Sequence, residues 1–173
     1  MGEHGYWNRD LNKWVEYEVE ELYEKDYDPL DYDAYAEDKD LHSAALKKDL
    51  RPGAHLSGVN LSKQYLVGVN LGESDLSKSD LSLANLTGAN LYSANLESSN
   101  LRLANLHNAT LTFANLSKAG LSGANFSCAN LYSANLYCAD LQGSNLKGAN
   151  LGNANLFCAD LTGAIMPDGT IHD

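Results

Sequence analysis

Long apolar runs are missing from this sequence. A helix that crosses a bilayer needs about 20 consecutive apolar residues, so no membrane span is expected. Cysteine is nearly absent. The three that occur, Cys128, Cys138 and Cys158, are odd in number and lie inside a repetitive stretch, which argues against the disulfide framework of a small secreted domain. The first ten residues, Met-Gly-Glu-His-Gly-Tyr-Trp-Asn-Arg-Asp, carry no basic start followed by an apolar run, so no secretory leader is expected. These absences place the protein in the cytoplasm, away from membranes. Clustered metal ligands are missing too: His4, His42, His55, His107 and His172 are scattered without ligand spacing. Catalysis requires acid, base or nucleophile groups that converge in a concavity, and no such convergence is visible. The expectation is a protein that is not an enzyme and holds no cofactor and no metal.

Charge is unevenly spread. Of 12 basic and 23 acidic residues, positions 1–53 hold 7 and 15, positions 54–164 hold 5 and 6, and positions 165–173 add only Asp168 and Asp173. The formal charge of −11 therefore belongs mostly to the N-terminal third.

What the sequence has in abundance is a five-residue period. Leucine recurs at 56, 61, 66 and onward to 161, with Phe126 the one substitution in these 22 positions. Two residues earlier stands Ala in 15 units, Ser in four, and Val59, Gln64 and Val69 in the rest; the position between is Asn in 14 units and Asp at 75, 80, 140 and 160. In an α-helix a step of five residues turns about 140° beyond a full turn, so the leucines would spiral and define no stripe. A strand places residues two apart on one face, which suits Ala-x-Leu, but the next Ala comes three later. Spacings of 2, 3, 2, 3 describe a chain that runs a short extended side, bends, and runs another. Coils wrapped this way can hydrogen-bond to the coil above at a spacing of ~4.8 Å. Asn and Asp at the middle position are expected to make the bend, because their side chains bond nearby backbone. Asn135-Leu-Tyr-Cys-Ala-Asp-Leu recurs 20 residues on as Asn155-Leu-Phe-Cys-Ala-Asp-Leu, which suggests four sides per coil.

Segments such as Ala84-Asn85-Leu86 and Ala139-Asp140-Leu141 resemble the pentapeptide repeat family, whose pattern is Ala-(Asp/Asn)-Leu-x-x. The resemblance covers roughly 110 of 173 residues. It implies a mainly β fold, a right-handed quadrilateral parallel β-helix, and points to a cyanobacterial type of source. On that basis the 22 units make about 5.5 coils and a rod of roughly 26 Å. His55, Gln64 and Tyr65 depart from the pattern, so the first coil is expected to be distorted or to touch another segment.

Residues 1–53 read as an acidic α-helical cap or extension, 54–164 as the β-helix, and 165–173 as a turn and tail. Asn8 can cap a helix that places Leu11, Trp14, Val15, Val19, Leu22 and Tyr23 on one face; further helices are expected from Asp28 and over 41–48. Such a segment can cover the open end of a strand stack. It also holds Trp7 and Trp14, two candidate interaction residues. A second candidate patch is Tyr137, Cys138, Phe157 and Cys158, which four-sided coils would stack on one face, with the cysteines as free thiols.

The functional expectation is a protein-interaction or regulatory scaffold with an unidentified protein partner, or a homodimer, and no direct nucleic-acid binding. The family resemblance supplies an alternative, imitation of DNA to modulate a topoisomerase such as gyrase. Duplex DNA carries one negative charge per ~1.7 Å, so a rod of ~26 Å would need on the order of 15 uncompensated charges. Its repeat region has six acids against five bases.

Overall fold

The computed structural model describes residues 50–173 and the backbone of residues 5–8 and 13–16. The chain separates into two compact units, Met1–Ala34 and Tyr35–Asp173.

In the first unit, strand β1 (Gly5–Asn8) pairs antiparallel with strand β2 (Lys13–Glu16), in a register that sets Tyr6 opposite Val15 and Trp7 opposite Trp14. This corrects the helix expected from an Asn8 cap to Tyr23 over its described part, residues 13–16, while its remainder lies outside the described residues. Tyr6, Trp7, Trp14 and Val15 stand at the centres of the two paired stretches, and aromatic and β-branched residues favour strands. Between them stand Arg9, Asp10, Leu11 and Asn12, a length suited to a hairpin. The helices expected from Asp28 and over 41–48 lie outside the described residues.

In the second unit the chain winds into stacked coils of 20 residues. Parallel bridges join each middle residue to the one 20 positions on, from His55 with Asp75 to Asn145 with Ile165. The leucines point inward, and Leu61 through Leu146, with Phe126 among them, are sealed from solvent. The small residue two before each leucine lets the four walls approach, since a larger one would overpack the axis.

One unit shows how the backbone is satisfied. The Leu131 N–H donates to the Asn150 carbonyl at 2.8 Å, and Ser133 N–H to the Gly152 carbonyl at 2.8 Å, both one coil up. Asn135 N–H donates one coil down to Ala114 at 2.9 Å, and Ala134 N–H closes a turn on Leu131 at 3.0 Å. The fifth, Tyr132 N–H, donates to Oδ1 of Asn130 at 3.1 Å. The side-chain oxygen of Asn or Asp thus satisfies the one amide that neither adjacent coil reaches. Where the residue is Asn, its Nδ2 is then free to donate one coil down, as Asn135 does to Asn115 Oδ1 at 3.1 Å and Asn155 to Asn135 Oδ1 at 3.1 Å.

The bend itself lies elsewhere than expected. It falls on the two residues after each leucine, and the second of them has positive φ at every turn from Gly53 to Gly163. That is the signature of a type II turn, which favours glycine. Fifteen of these residues are nevertheless not glycine, among them Leu83, Leu103 and Phe113. The turn is imposed by the stack and tolerated by the residue.

The first coil is regular rather than distorted: His55 and Tyr65 bridge to Asp75 and Asn85, and Gln64 sits buried at a small-residue position. At the other end Ile171 pairs antiparallel with Ile165, Met166 N–H donates to the Thr170 carbonyl at 2.7 Å, and His172 N–H to Ala164 at 2.9 Å. This reversal covers one side of the last coil. Leu151, Leu156 and Leu161, on the other three sides, remain only partly buried.

Candidate interaction surface

Because every inward position is small or aliphatic, the rod's chemistry stands on its corners. Each corner presents its first and second turn residues outward, and residues 20 apart fall into columns. One column runs through Tyr137 and Phe157, whose rings stack with centroids 6.0 Å apart and planes 8° from parallel. Both are exposed, Phe157 by 72%. Cys138 and Cys158 occupy the second position of the same two turns, the first half-buried and the second exposed, both as free thiols. The structure therefore brings together four of the six residues singled out from the sequence. Trp7 and Trp14 stand opposite one another in the β1–β2 pair, in the other unit.

A second aromatic column escaped the sequence reading. Tyr92 meets Phe113 edge to face at 5.9 Å and 88°, and Phe113 meets Tyr132 at 6.3 Å and 83°. These three alternate between first and second turn positions, so their spacings are 21 and 19 rather than 20. A search at the coil period with a tolerance of one residue would have found them. Tyr132 also accepts at its hydroxyl from Nδ2 of Asn153, 2.8 Å away, and Gly152 leaves it room one coil up: a Cβ there would lie 3.0 Å from the Tyr132 ring.

The two columns border one side of the rod. From Tyr132 the chain passes Ser133, Ala134, Asn135 and Leu136 before reaching Tyr137, so the side carries an asparagine ladder of Asn95, Asn115, Asn135 and Asn155 between aromatic edges. Lower on the Tyr137 edge Lys118 pairs with Glu97 at 3.9 Å. Exposed aromatic groups with polar neighbours supply the anchor type that protein interfaces favour.

The next corner differs. Leu83 and Leu103 are exposed there, and above them stand Gly123, Gly143 and Gly163. An open groove of about 430 Å³ results, lined by Arg102, Leu103, Asp140, Gln142 and Thr162. Arg102 pairs with Asp140 at 3.7 Å, and Gln142 Nε2 donates to Asp160 at 2.6 Å. The ladder on this side is interrupted at Gly120, which supplies no side-chain acceptor, and the buried Ser122 hydroxyl has no hydrogen-bond partner among the described residues. His107 lies two corners from the Tyr137 column, with Nδ1 2.8 Å from Ser127 Oγ. Among the described residues no group of three metal-ligating side chains forms. No helix among them is long and apolar enough to cross a membrane.

The family model for pentapeptide repeats matches residues 54–91, 65–102, 104–137 and 134–168. The chain belongs to the pentapeptide repeat family. Its fold is accordingly the right-handed quadrilateral β-helix of that family. Members are generally structural or interaction proteins rather than enzymes. Among solved structures, the chain is similar to HetL, a pentapeptide repeat protein involved in heterocyst differentiation regulation in the cyanobacterium Nostoc sp. strain PCC 7120. The two are 34% identical over 69% of this chain and 73% of HetL, with a TM-score of 0.34. Rfr23 from the cyanobacterium Cyanothece 51142 is 32% identical over 74% of this chain and 95% of its own, with a TM-score of 0.35. QnrB1, a plasmid-mediated fluoroquinolone resistance protein, is 23% identical over 61% of this chain and 51% of its own; its TM-score of 0.58 reflects a shared fold. No curated sequence matches the chain significantly.

Proposed function

We propose that this pentapeptide repeat protein is a cytoplasmic, non-enzymatic scaffold that binds a protein partner through the side bordered by its two aromatic columns. The observation that carries the reading is the exposure of Tyr92, Phe113, Tyr132, Tyr137 and Phe157 along the two edges of one side. The hydrogen-bonded coils hold these rings in place before any partner arrives, which lowers the ordering cost of binding. The acidic N-terminal third, with 15 acids against 7 bases, is a second docking element of the same scaffold. Affinity capture from the source cell tests both parts, with the full chain, a Tyr137→Ser/Phe157→Ser variant and a chain lacking residues 1–50 as baits. A partner held by the full chain and lost from the double variant is the expected result. Unchanged capture by the double variant overturns the aromatic side, and unchanged capture by the shortened chain overturns the acidic segment. Light scattering on the full chain shows whether a second copy is that partner.

The alternative, a DNA-like modulator of a topoisomerase such as gyrase, draws support from the fold shared with QnrB1. Three acids do share one side, Asp80, Asp140 and Asp160, yet Arg102 stands among them and pairs with Asp140. A supercoiling assay with micromolar full chain separates the readings: inhibition of gyrase favours mimicry, and an unaffected reaction removes it.

A further inference from the structure

Cys138 and Cys158 hold the same place in successive coils. Both lie at the second turn position with positive φ, 51° and 65°, and the parallel bridge of Asn135 with Asn155 fixes the register that stacks them. Cys138 N–H donates to the Phe157 carbonyl at 3.0 Å, so the peptide leading into Cys158 is tied directly to Cys138. The residues just before them, Tyr137 and Phe157, stack within 8° of parallel with ring centroids 6.0 Å apart, so neighbouring side chains at this corner meet from one coil to the next. In-register parallel neighbours lie ~4.8 Å apart, inside the Cα range of roughly 4.4–6.8 Å that a disulfide spans. Neither thiol is sealed in the core: Cys158 is exposed and Cys138 partly so.

The third cysteine provides a contrast within the same molecule. Cys128 is equally exposed and equally left-handed at φ 59°, but it sits two corners away, with Asn108 and Gly148 at the matching positions of the coils below and above. Gly148 would place a Cβ 3.5 Å from the Cys128 sulfur, so the stacking contact exists there without a second thiol. Cys128 thus has no partner for intramolecular exchange.

We propose that Cys138 and Cys158 form a reactive dithiol that takes low-molecular-weight disulfides of the glutathione type and closes into an intramolecular disulfide joining the last two coils. Cys158, the more exposed, loses its proton and its thiolate attacks one sulfur of oxidised glutathione. A sulfur–sulfur bond forms to Cys158 as the glutathione disulfide breaks, and one glutathione thiolate leaves. The Cys138 thiolate then attacks the Cys158 sulfur and expels the second glutathione thiolate. The two protein thiols are oxidised, one glutathione disulfide is reduced to two thiols, and the two protons released by the cysteines are taken up by the two departing thiolates. The neighbouring Cys138 thiol pushes the Cys158 thiol above its ordinary value, so attack by the Cys158 thiolate quickens as pH rises. The new bond would fasten a coil above which, on this side, the described residues place no other.

The test uses the full chain, reduced, freed of reductant and exposed without denaturant to oxidised glutathione, then quenched by alkylation and mapped by mass spectrometry. The linked Cys138–Cys158 peptide is expected to exceed the mixed disulfide at Cys158 by at least about tenfold, because a tethered thiol acts at millimolar effective concentration or above. Cys128 should carry only glutathione or the alkyl group. In Cys138→Ser the mixed disulfide at Cys158 should persist. Equal glutathione adducts on all three cysteines, or cross-links between chains with no Cys138–Cys158 peptide, would overturn the proposal. A second reading is thermal: oxidation should raise the melting temperature of the parent chain and leave that of Cys158→Ser unmoved, and equal shifts in both also defeat it.

Discussion

The two ends of the rod are built from the same unit and behave differently. At the first coil Leu50, Ala54 and Leu56 expose no more than 3% of their surface. At the last, Leu151, Leu156 and Leu161, at the inward position that Leu56 holds in the first, stay partly open to water. A pentapeptide unit does not bury its own leucine. The coil above and the coil below do so, and stability is accordingly a sum over neighbours rather than a property of the unit. The same holds for the backbone, since the upward-facing N–H groups of Leu151, Leu156 and Leu161 meet no further coil among the described residues.

The largest effect that can break this comparison is a matched pair of truncations. Leu106→Ala, with neighbours on both sides, should cost about 2–5 kcal/mol, whereas Leu156→Ala, half open already, should cost about 1 kcal/mol. Denaturant melts of both variants measure the difference, and equal losses would mean that the ends are as well packed as the middle. Lys118→Ala serves as the outward control, because its ion pair with Glu97 is exposed and worth little.

A smaller effect of opposite sign is expected within the rod. Gly120 breaks the ladder between Asn100 and Asp140, and a Cβ there meets only Arg102 Cγ and Asn100 Oδ1, each at 3.8 Å, in ordinary contact. Gly120→Asn should supply the missing acceptor for the Ser122 amide and extend the ladder, adding about 0.5–1.5 kcal/mol in a denaturant melt. A loss of stability would show that the asparagine cap is not what holds these corners.

The smallest effect compares the ends through pH. Near the first coil, Asp75 is held below the ordinary carboxylate range by the Ser77 hydroxyl and amide. Near the last, Asp160 is lowered by the Thr162 amide and hydroxyl and by Gln142. A carboxyl with its folded value below the unfolded one, about 3.9, stabilises above that pH and loses the contribution as pH falls through the folded value. Melting temperature should therefore decline below about pH 4. Asp75→Asn and Asp160→Asn, which keep the amide's acceptor, should each flatten that decline; an unchanged acid slope in both would exclude these carboxyls as its source.

Much of the rod was legible because its period is incompatible with anything else. Leucines every five residues cannot line a helix or a flat strand, and the 20-residue echo of Asn135-Leu-Tyr-Cys in Asn155-Leu-Phe-Cys located both the coil length and the Tyr137–Cys158 patch. The misplaced bend has a physical cause. Asparagine does bond local backbone, but from the straight side, while the left-handed conformation falls to residues such as Leu103 and Phe113 that no turn preference would select. The second aromatic column was hidden by its alternation between turn positions. The N-terminal stretch misled for a different reason: Trp14 and Val15 fit a helical face when read with Leu11, and a strand when paired with Trp7 and Tyr6.

By itself, the sequence determined that small and large apolar residues spaced two and three apart converge on an axis, because only that winding hides them all. Only the tertiary structure decided which residues turn the corners, which aromatic rings meet and which leucines lie open. Those outcomes depend on what occupies the next coil, 20 residues away, and no single five-residue unit contains that information.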